Sequence, residues 1–267
     1  MPSSATLIIP CYDEADRLDT AEFLRLARSR PGLSLLFVDD GSRDGTMAVL
    51  ERLAAEAGGA VRALRLERNR GKAEAVRQGL RAAIQSGAAL VGYADADLST
   101  PVDELVRLVA IAERSGMDVV LGSRVKLLGR RIDRRGTRHY VGRVFATFAS
   151  IALRLPVYDT QCGAKVFRVT PALGAAVERP FRSRWIFDVE LLARLTRGSR
   201  VAAPIPAEAI IEVPLRVWRD VAGSKLRLRG MIVSGVQILA LALALRLRRA
   251  RPFEAKPRAS EAHAEPK

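Results

Sequence analysis

Through its first 125 residues the chain alternates short apolar runs with longer segments of helical spacing, and this rhythm restricts the possible folds more than any other feature. Thr6–Pro10, Ser34–Val38, Val61–Leu66, Ala89–Ala94 and Val119–Gly122 are short, apolar and partly β-branched, as buried strands are. Between them, Glu14–Ser29, Asp44–Ala57, Lys72–Ser86 and Val102–Ser115 have helical periodicity and length. Asp44 suits the start of a helix, and Pro101 suits a first helical turn after Thr100. Strands alternating with helices build right-handed βαβ units, so the expected class is α/β with a mostly parallel sheet and helices on both faces.

Beyond Arg124 the rhythm changes. An amphipathic helix is expected at about Thr137–Leu155, a strand at Ala164–Val169, a helix near Ile186–Thr196 and a strand near Ala209–Val213. Asp220–Arg249 reads as one or two basic, apolar helices. Inside it, Met231–Leu245 is apolar but ends at Arg246, short of the roughly 20 residues a spanning helix needs. It therefore reads as an interfacial or buried helix. Met1–Ser4 run straight into the first strand, so no secretory signal is expected. After Pro252 the composition turns to Ala, Glu, Lys and Pro, which predicts a disordered tail.

Charge narrows the partners. The chain carries 44 Lys and Arg against 29 Asp and Glu, a net +15, which calls for a polyanionic partner. The basic residues cluster: Arg124, Lys126, Arg130, Arg131, Arg134, Arg135, Arg138 and Arg143 form one run, and Arg216, Arg219, Lys225, Arg227 and Arg229 another. A nucleic-acid-binding module would use such charge with aromatic residues for stacking, yet aromatics are only 5% of this chain. No nucleic acid is expected. Near an anionic membrane each basic residue is worth about 1 kcal/mol, and basic, apolar helices suit an interfacial attachment. The expected division is a domain at 1–215, membrane-associating helices at 216–250 and the tail at 251–267. Cys11 and Cys162 form neither a disulfide framework nor a metal pair, which favours a reducing compartment and hence the cytoplasmic face of the membrane. The two histidines, His139 and His263, leave no basis for a zinc site or a histidine triad.

In open parallel sheets ligands sit beyond the carboxyl ends of the strands. Here those ends read Pro10-Cys11-Tyr12-Asp13-Glu14, Asp39-Asp40-Gly41-Ser42, Asn69-Arg70-Gly71-Lys72 and Asp95-Ala96-Asp97. Any one of them alone reads as turn chemistry; four on one edge point to a site. Asp95 and Asp97, two apart in extended chain, point the same way. A hard divalent cation, Mg²⁺ or Mn²⁺, takes such carboxylates and completes its shell with water and phosphate oxygens. Lys72, at a helix start after Gly71, suits a diphosphate.

The runs IPCYDE, VDDGS, NRGKAEAVRQG, DADLSTP, GSR, DTQCGAKVF, WIFDVELL and the later EVP, W and GSK, in this order from about Ala5 to Arg248, resemble the family-two glycosyltransferases. Within them the chain is most similar to the dolichyl-phosphate (polyprenyl-phosphate) β-glucosyltransferases. Asp13 stands where Asn is usual and Ala164 where Phe is common, and the usual N-terminal membrane anchor is not seen. The resemblance implies a GT-A type nucleotide-diphospho-sugar transferase fold. It also implies an inverting, metal-dependent enzyme that moves a hexose, glucose from UDP-glucose, onto a polyprenyl phosphate. A mannosyl transfer from GDP-mannose and a saccharide hydroxyl acceptor are the alternatives.

By the same resemblance Pro10, Tyr12, Glu14 and Asp39 would hold the base and ribose. Lys72 and Asp95 would face the diphosphate, and Asp97, with Asp95, the metal. Gln161 and Asp188 would line the acceptor side. Asp188 stands where a base is often assigned; a hydroxyl acceptor needs one, but a lipid phosphate arrives ionised, and Asp188 would then orient a basic residue or the sugar. An acid that merely favours a helix N-terminus is a third reading. Arg124, Arg138, Arg143 and Lys225 are the candidates for binding acceptor phosphate, as guanidinium groups do bidentately.

Overall fold

The structure is a computed structural model describing residues 4–133, 146–184 and 186–221. Strands β1 (Ala5–Cys11), β2 (Leu33–Asp39), β3 (Val61–Arg65), β4 (Leu90–Tyr93) and β5 (Val119–Ser123) alternate with helices α1 (Thr20–Arg28), α2 (Thr46–Glu56), α3 (Lys72–Gln85) and α4 (Val102–Ser115). A two-residue β6 (Arg131–Ile132) and a helix α5 at residues 146–153 follow. The rest comprises β7 (Lys165–Arg168), α6 (Pro171–Glu178), α7 (Phe187–Arg197), β8 (Ile210–Pro214) and β9 (Val217–Trp218). The main sheet has the order β3-β2-β1-β4-β7-β5-β8, and only β7 runs against its neighbours. This is the expected mostly parallel α/β sheet.

Alternation along each strand splits the core into two layers. Ile8, Leu36, Val38, Val91, Tyr93, Val119 and Leu121 face one layer with α3, α6 and α7. Leu7, Ile9, Leu35, Phe37, Leu90 and Val120 face the other with α1, α2 and α4. A side-chain period of two makes a strand serve both faces, which is why these runs are apolar at nearly every position. Close approach sets one further demand: a Cβ on Gly79 would lie 2.5 Å from an Ile8 methyl, so α3 seats on β1 only with glycine there.

Several boundaries differ from the periodicity. Helix α1 begins at Thr20 rather than Glu14, because the Asp19 carboxylate accepts from the Glu22 N–H at 3.1 Å and caps the helix there. Asp44 does not cap α2; Gly45 holds that position, and Asp44 accepts instead from Thr46 N (2.9 Å) and Ala15 N (3.1 Å). Pro101 is the residue before α4. Helix α6, capped by Thr170 with Pro171 at its first position, and the short pair β6 and β9 were not foreseen. Trp218, in β9, lies beyond the proposed boundary at 215 and still pairs with Ile132. Of the helix expected at Thr137–Leu155, residues 146–153 are helical and 137–145 lie outside the described residues. Met231–Leu245 and the 251–267 tail lie outside them as well. Among the described residues no helix is long and apolar enough to cross a membrane.

Candidate active site

The loops leaving β1, β2 and β3 are tied together at the carboxyl edge of the sheet. Asp13 N donates to Ser42 Oγ (3.0 Å), Arg43 N to Asp13 Oδ1 (2.9 Å) and Glu14 N to Thr46 Oγ1 (2.9 Å). Asp40 accepts from the N–H groups of Arg70 (2.8 Å) and Gly71 (2.7 Å), which fixes the N-terminus of α3 beside β2. Burial raises the Asp40 carboxyl above its usual range even though those two donors oppose the shift. Asp13 and Leu98 adopt left-handed backbone, φ 49° and 50°, uncommon for such residues and concentrated here at the strand ends.

Asp39 is fully buried. Its Oδ1 accepts from Ser42 N at 3.0 Å and from the Ser42 hydroxyl. Its Oδ2 has no hydrogen-bond donor among the described residues, with Arg65 Nε 3.5 Å away. An acceptor stranded in this way normally has a partner, so a ligand N–H or O–H is the natural one. Pro10, Tyr12 and Glu14 stand half-buried at the adjoining end of β1, and Glu14 pairs with Arg17 at 3.5 Å.

Lys72 and Asp95 meet directly across the edge, Nζ to Oδ1, each about one-third exposed. Burial alone would depress the Lys72 ammonium; the carboxylates of Asp95, Asp188 and Asp97 outweigh it and hold the group above its ordinary value. All three acids therefore act on one cation. Asp97 Oδ1 accepts from Ser99 N at 3.0 Å, which sets the turn that presents it. Asp95 lies against Gly163 so closely that a Cβ there would sit 1.9 Å from Oδ2. Arg184 reaches over from the segment before α7 to pack on Gly71, where a Cβ would meet its Cδ at 3.0 Å, and its charge acts on Asp40. Asp95 and Asp97 offer hard oxygen donors of the kind Mg²⁺ or Mn²⁺ takes, and so fit such a cation provided a diphosphate and water complete its shell. Among the described residues no three acidic, histidine or cysteine side chains gather on one point.

Below Asp95 lies a buried trio. Asp188 Oδ1 accepts from Lys165 Nζ at 2.6 Å and from the Tyr93 hydroxyl. Lys165 also donates to Cys162 O at 2.5 Å and lies 5.3 Å from the Tyr93 ring centroid. Tyr93 and Lys165 are direct partners across β4 and β7, and Asp188 comes from the first turn of α7, so three elements converge here. Burial, and then the Asp188 charge, raise the Tyr93 phenol well above its usual value. Arg194 anchors α7 by donating to the carbonyls of Ala176 and Arg179, both at 2.7 Å. Lys165 was not singled out from the sequence. The signal was a charge at an inward position of an alternating strand, two residues before Phe167.

Just beyond β5, Arg124 forks onto Asp159, Nε to Oδ2 at 2.7 Å and Nη2 to Oδ1 at 2.8 Å, with its guanidinium 5.4 Å from the Trp218 ring centroid. Burial would lower the Arg124 guanidinium, but Asp159 holds it above its ordinary value. This fork orients the loop that carries Gln161, a loop also clamped by Glu212 through Tyr158 N (2.8 Å) and Asp159 N (2.7 Å). The Gln161 Nε2 is buried with no hydrogen-bond acceptor among the described residues. Cys162 is buried and its thiol is pushed up to about 11, so it is no nucleophile near neutral pH. Arg138, Arg143 and Lys225 lie outside the described residues.

Residues 6–172 match the family model described as glycosyl transferase family 2. A dolichyl-phosphate beta-glucosyltransferase of Trichomonas vaginalis is 28% identical over 254 residues, covering 90% of this chain and 71% of that protein. A dolichyl-phosphate beta-glucosyltransferase of Drosophila melanogaster is 31% identical over 240 residues, covering 83% and 68%. Among solved structures, glucosyl-3-phosphoglycerate synthase from Mycobacterium tuberculosis, in complex with Mn²⁺, UDP and glucosyl-3-phosphoglycerate, is similar with a TM-score of 0.64 at 22% identity. The match covers 91% of this chain and 80% of that one, a likeness of fold that bears out the GT-A architecture. With its motifs in order along one sheet edge and the model matched over more than half its length, the chain belongs to glycosyl transferase family 2.

Proposed function

We propose that this protein transfers glucose from UDP-glucose to a polyprenyl or dolichyl phosphate, with inversion and with a divalent cation, Mg²⁺ or Mn²⁺, at the cytoplasmic face of an anionic membrane. The observation that carries the reading is the contact of Lys72, at the start of α3, with Asp95 on the same sheet edge where the buried Asp39 Oδ2 is left without a donor among the described residues. That is the arrangement a nucleoside diphosphate and a cation require. The names of the relatives support glucose and a lipid phosphate.

Asp39 Oδ2 would accept from the base or ribose, with Pro10, Tyr12 and Glu14 beside it. Lys72 would leave Asp95 for the diphosphate, adding a point charge to the backbone N–H groups of the α3 N-terminus. A cation held by Asp95 and Asp97 would neutralise charge on the departing diphosphate. An oxygen of the acceptor phosphate attacks the anomeric carbon. The bond from that carbon to the β-phosphate oxygen breaks, and its electron pair leaves with UDP. No proton moves in this displacement, so no base is needed. This suits Asp188, whose Oδ1 is held by Lys165 and Tyr93 and which serves as a fixed anion orienting Lys165. Gln161, with its unsatisfied amide, would contact the sugar or acceptor.

The test is incubation of the full chain with a short-chain polyprenyl phosphate and labelled UDP-glucose or GDP-mannose, with and without a chelator. Lipid-extractable label from UDP-glucose, lost with the chelator, is expected. Label only from GDP-mannose, or only on a saccharide, would replace this reading.

A further inference from the structure

The long connection between β5 and β7 begins and ends at the carboxyl edge, because β5 leaves the sheet there and the antiparallel β7 enters there. Its first feature is a tight turn. Arg130 N donates to Leu127 O at 3.0 Å, and Gly129, third in the turn, has φ 78°, as a type II turn demands. The turn stands on a fixed base: Arg131 N donates to Arg216 O (2.8 Å), Asp133 N to Trp218 O (3.0 Å), and Ile132 pairs with Trp218. At its tip Leu127 is 48% exposed and Leu128 105%, as open as in an isolated peptide. Lys126, Arg130 and Arg131, all exposed, flank the two leucines. Later in the same connection Phe148 and Ile151, three residues apart on one face of α5, are both more than half exposed.

We propose that the turn at residues 126–131 is a wedge that inserts Leu127 and Leu128 into an anionic lipid surface and seats Lys126, Arg130 and Arg131 on its headgroups. Two leucines held outward by a hydrogen-bonded turn cannot collapse onto the protein, and water is the least favourable surrounding for them. An apolar tip ringed by cations matches a bilayer boundary, with hydrocarbon below and negative charge above. The wedge rises from the edge that carries Asp95 and Asp97, so its insertion turns that edge toward the membrane, where a lipid-linked acceptor enters. The proposal deepens the reading above by naming the docking element, while its test needs no turnover.

Cys11 and Cys162 are buried, with thiols pushed up by burial, so Leu128→Cys takes a polarity-sensitive fluorophore selectively. The labelled full chain is mixed with vesicles of phosphatidylcholine alone, or of phosphatidylcholine with phosphatidylglycerol. Glu56→Cys, exposed at the C-terminus of α2 on the opposite edge, is the control. The expected result is a blue shift at position 128 on the anionic vesicles, none at position 56, and loss of the shift when Lys126, Arg130 and Arg131 are changed to Gln. Leu127→Ser with Leu128→Ser should weaken vesicle binding tenfold or more for each leucine removed. A label at 128 that stays in water while the protein binds vesicles, or a full chain that ignores anionic vesicles, overturns the wedge. Glucosyl transfer to a soluble short-chain acceptor would persist in either case if the catalytic reading is right.

Discussion

Lys165 Nζ lies 2.6 Å from Asp188 Oδ1 in an interior where their side chains are 1% and 8% exposed. The Tyr93 hydroxyl shares the same oxygen. A buried pair of this kind is costly to break from one side, because the remaining charge has no solvent.

Lys165→Met should therefore destabilise the fold by about 3–5 kcal/mol, whereas Lys165→Met combined with Asp188→Asn should recover most of that loss. Urea denaturation of the three proteins measures it. If Asp188 were a general base, Asp188→Asn would remove the acid limb of the rate against pH, where protonation of the base shuts the reaction down. As a fixed anion its replacement should lower kcat without reshaping that profile.

Gly163→Ala should cost most of the activity with little loss of structure. The added Cβ would sit 1.9 Å from Asp95 Oδ2, so the carboxylate must swing away from Lys72 and from any cation. Calorimetric titration with UDP and Mn²⁺ should show affinity falling at least tenfold, while circular dichroism stays that of the parent.

Asp97→Ala should abolish transfer and leave the fold intact, since its side chain bonds locally, accepting from Ser99 N at 3.0 Å within the same turn. Near-normal metal-dependent turnover in this variant would remove Asp97 from the metal assignment.

One share of the alkaline loss of stability should follow Cys162, beside those of Cys11 and Tyr93, whose acid groups burial also raises. The Cys162 thiol is buried and pushed up to about 11, against 9.0 for an unperturbed group. Between these values the unfolded chain releases the proton while the folded chain keeps it, so stability is intact below pH 9 and falls toward pH 11. The loss is about 3 kcal/mol. Cys162→Ala should flatten the fall by that amount in melts taken across this range.

The alternating apolar runs determined the sheet and the four early helices, because a strand buried on both faces must be apolar at nearly every position. Carboxylates at the strand ends were legible for a related reason: a parallel sheet presents one edge to ligands, and four ends in a row were polar. Helix α1 starts six residues later than periodicity suggests, because a local cap, Asp19 accepting from Glu22 N, sets its first turn. Lys165 escaped notice because a lone lysine in a strand reads as solvated until its neighbours are known. Only the antiparallel seating of β7 between β4 and β5 sets it opposite Tyr93 and under Asp188, which lies 23 residues later. Likewise Arg124 looked like a free phosphate ligand until folding brought Asp159, 35 residues away, onto its guanidinium. Period and composition act between near neighbours, and the sequence shows them directly. Charge pairing acts through space at low dielectric, and its partners are decided only when distant segments close on one another.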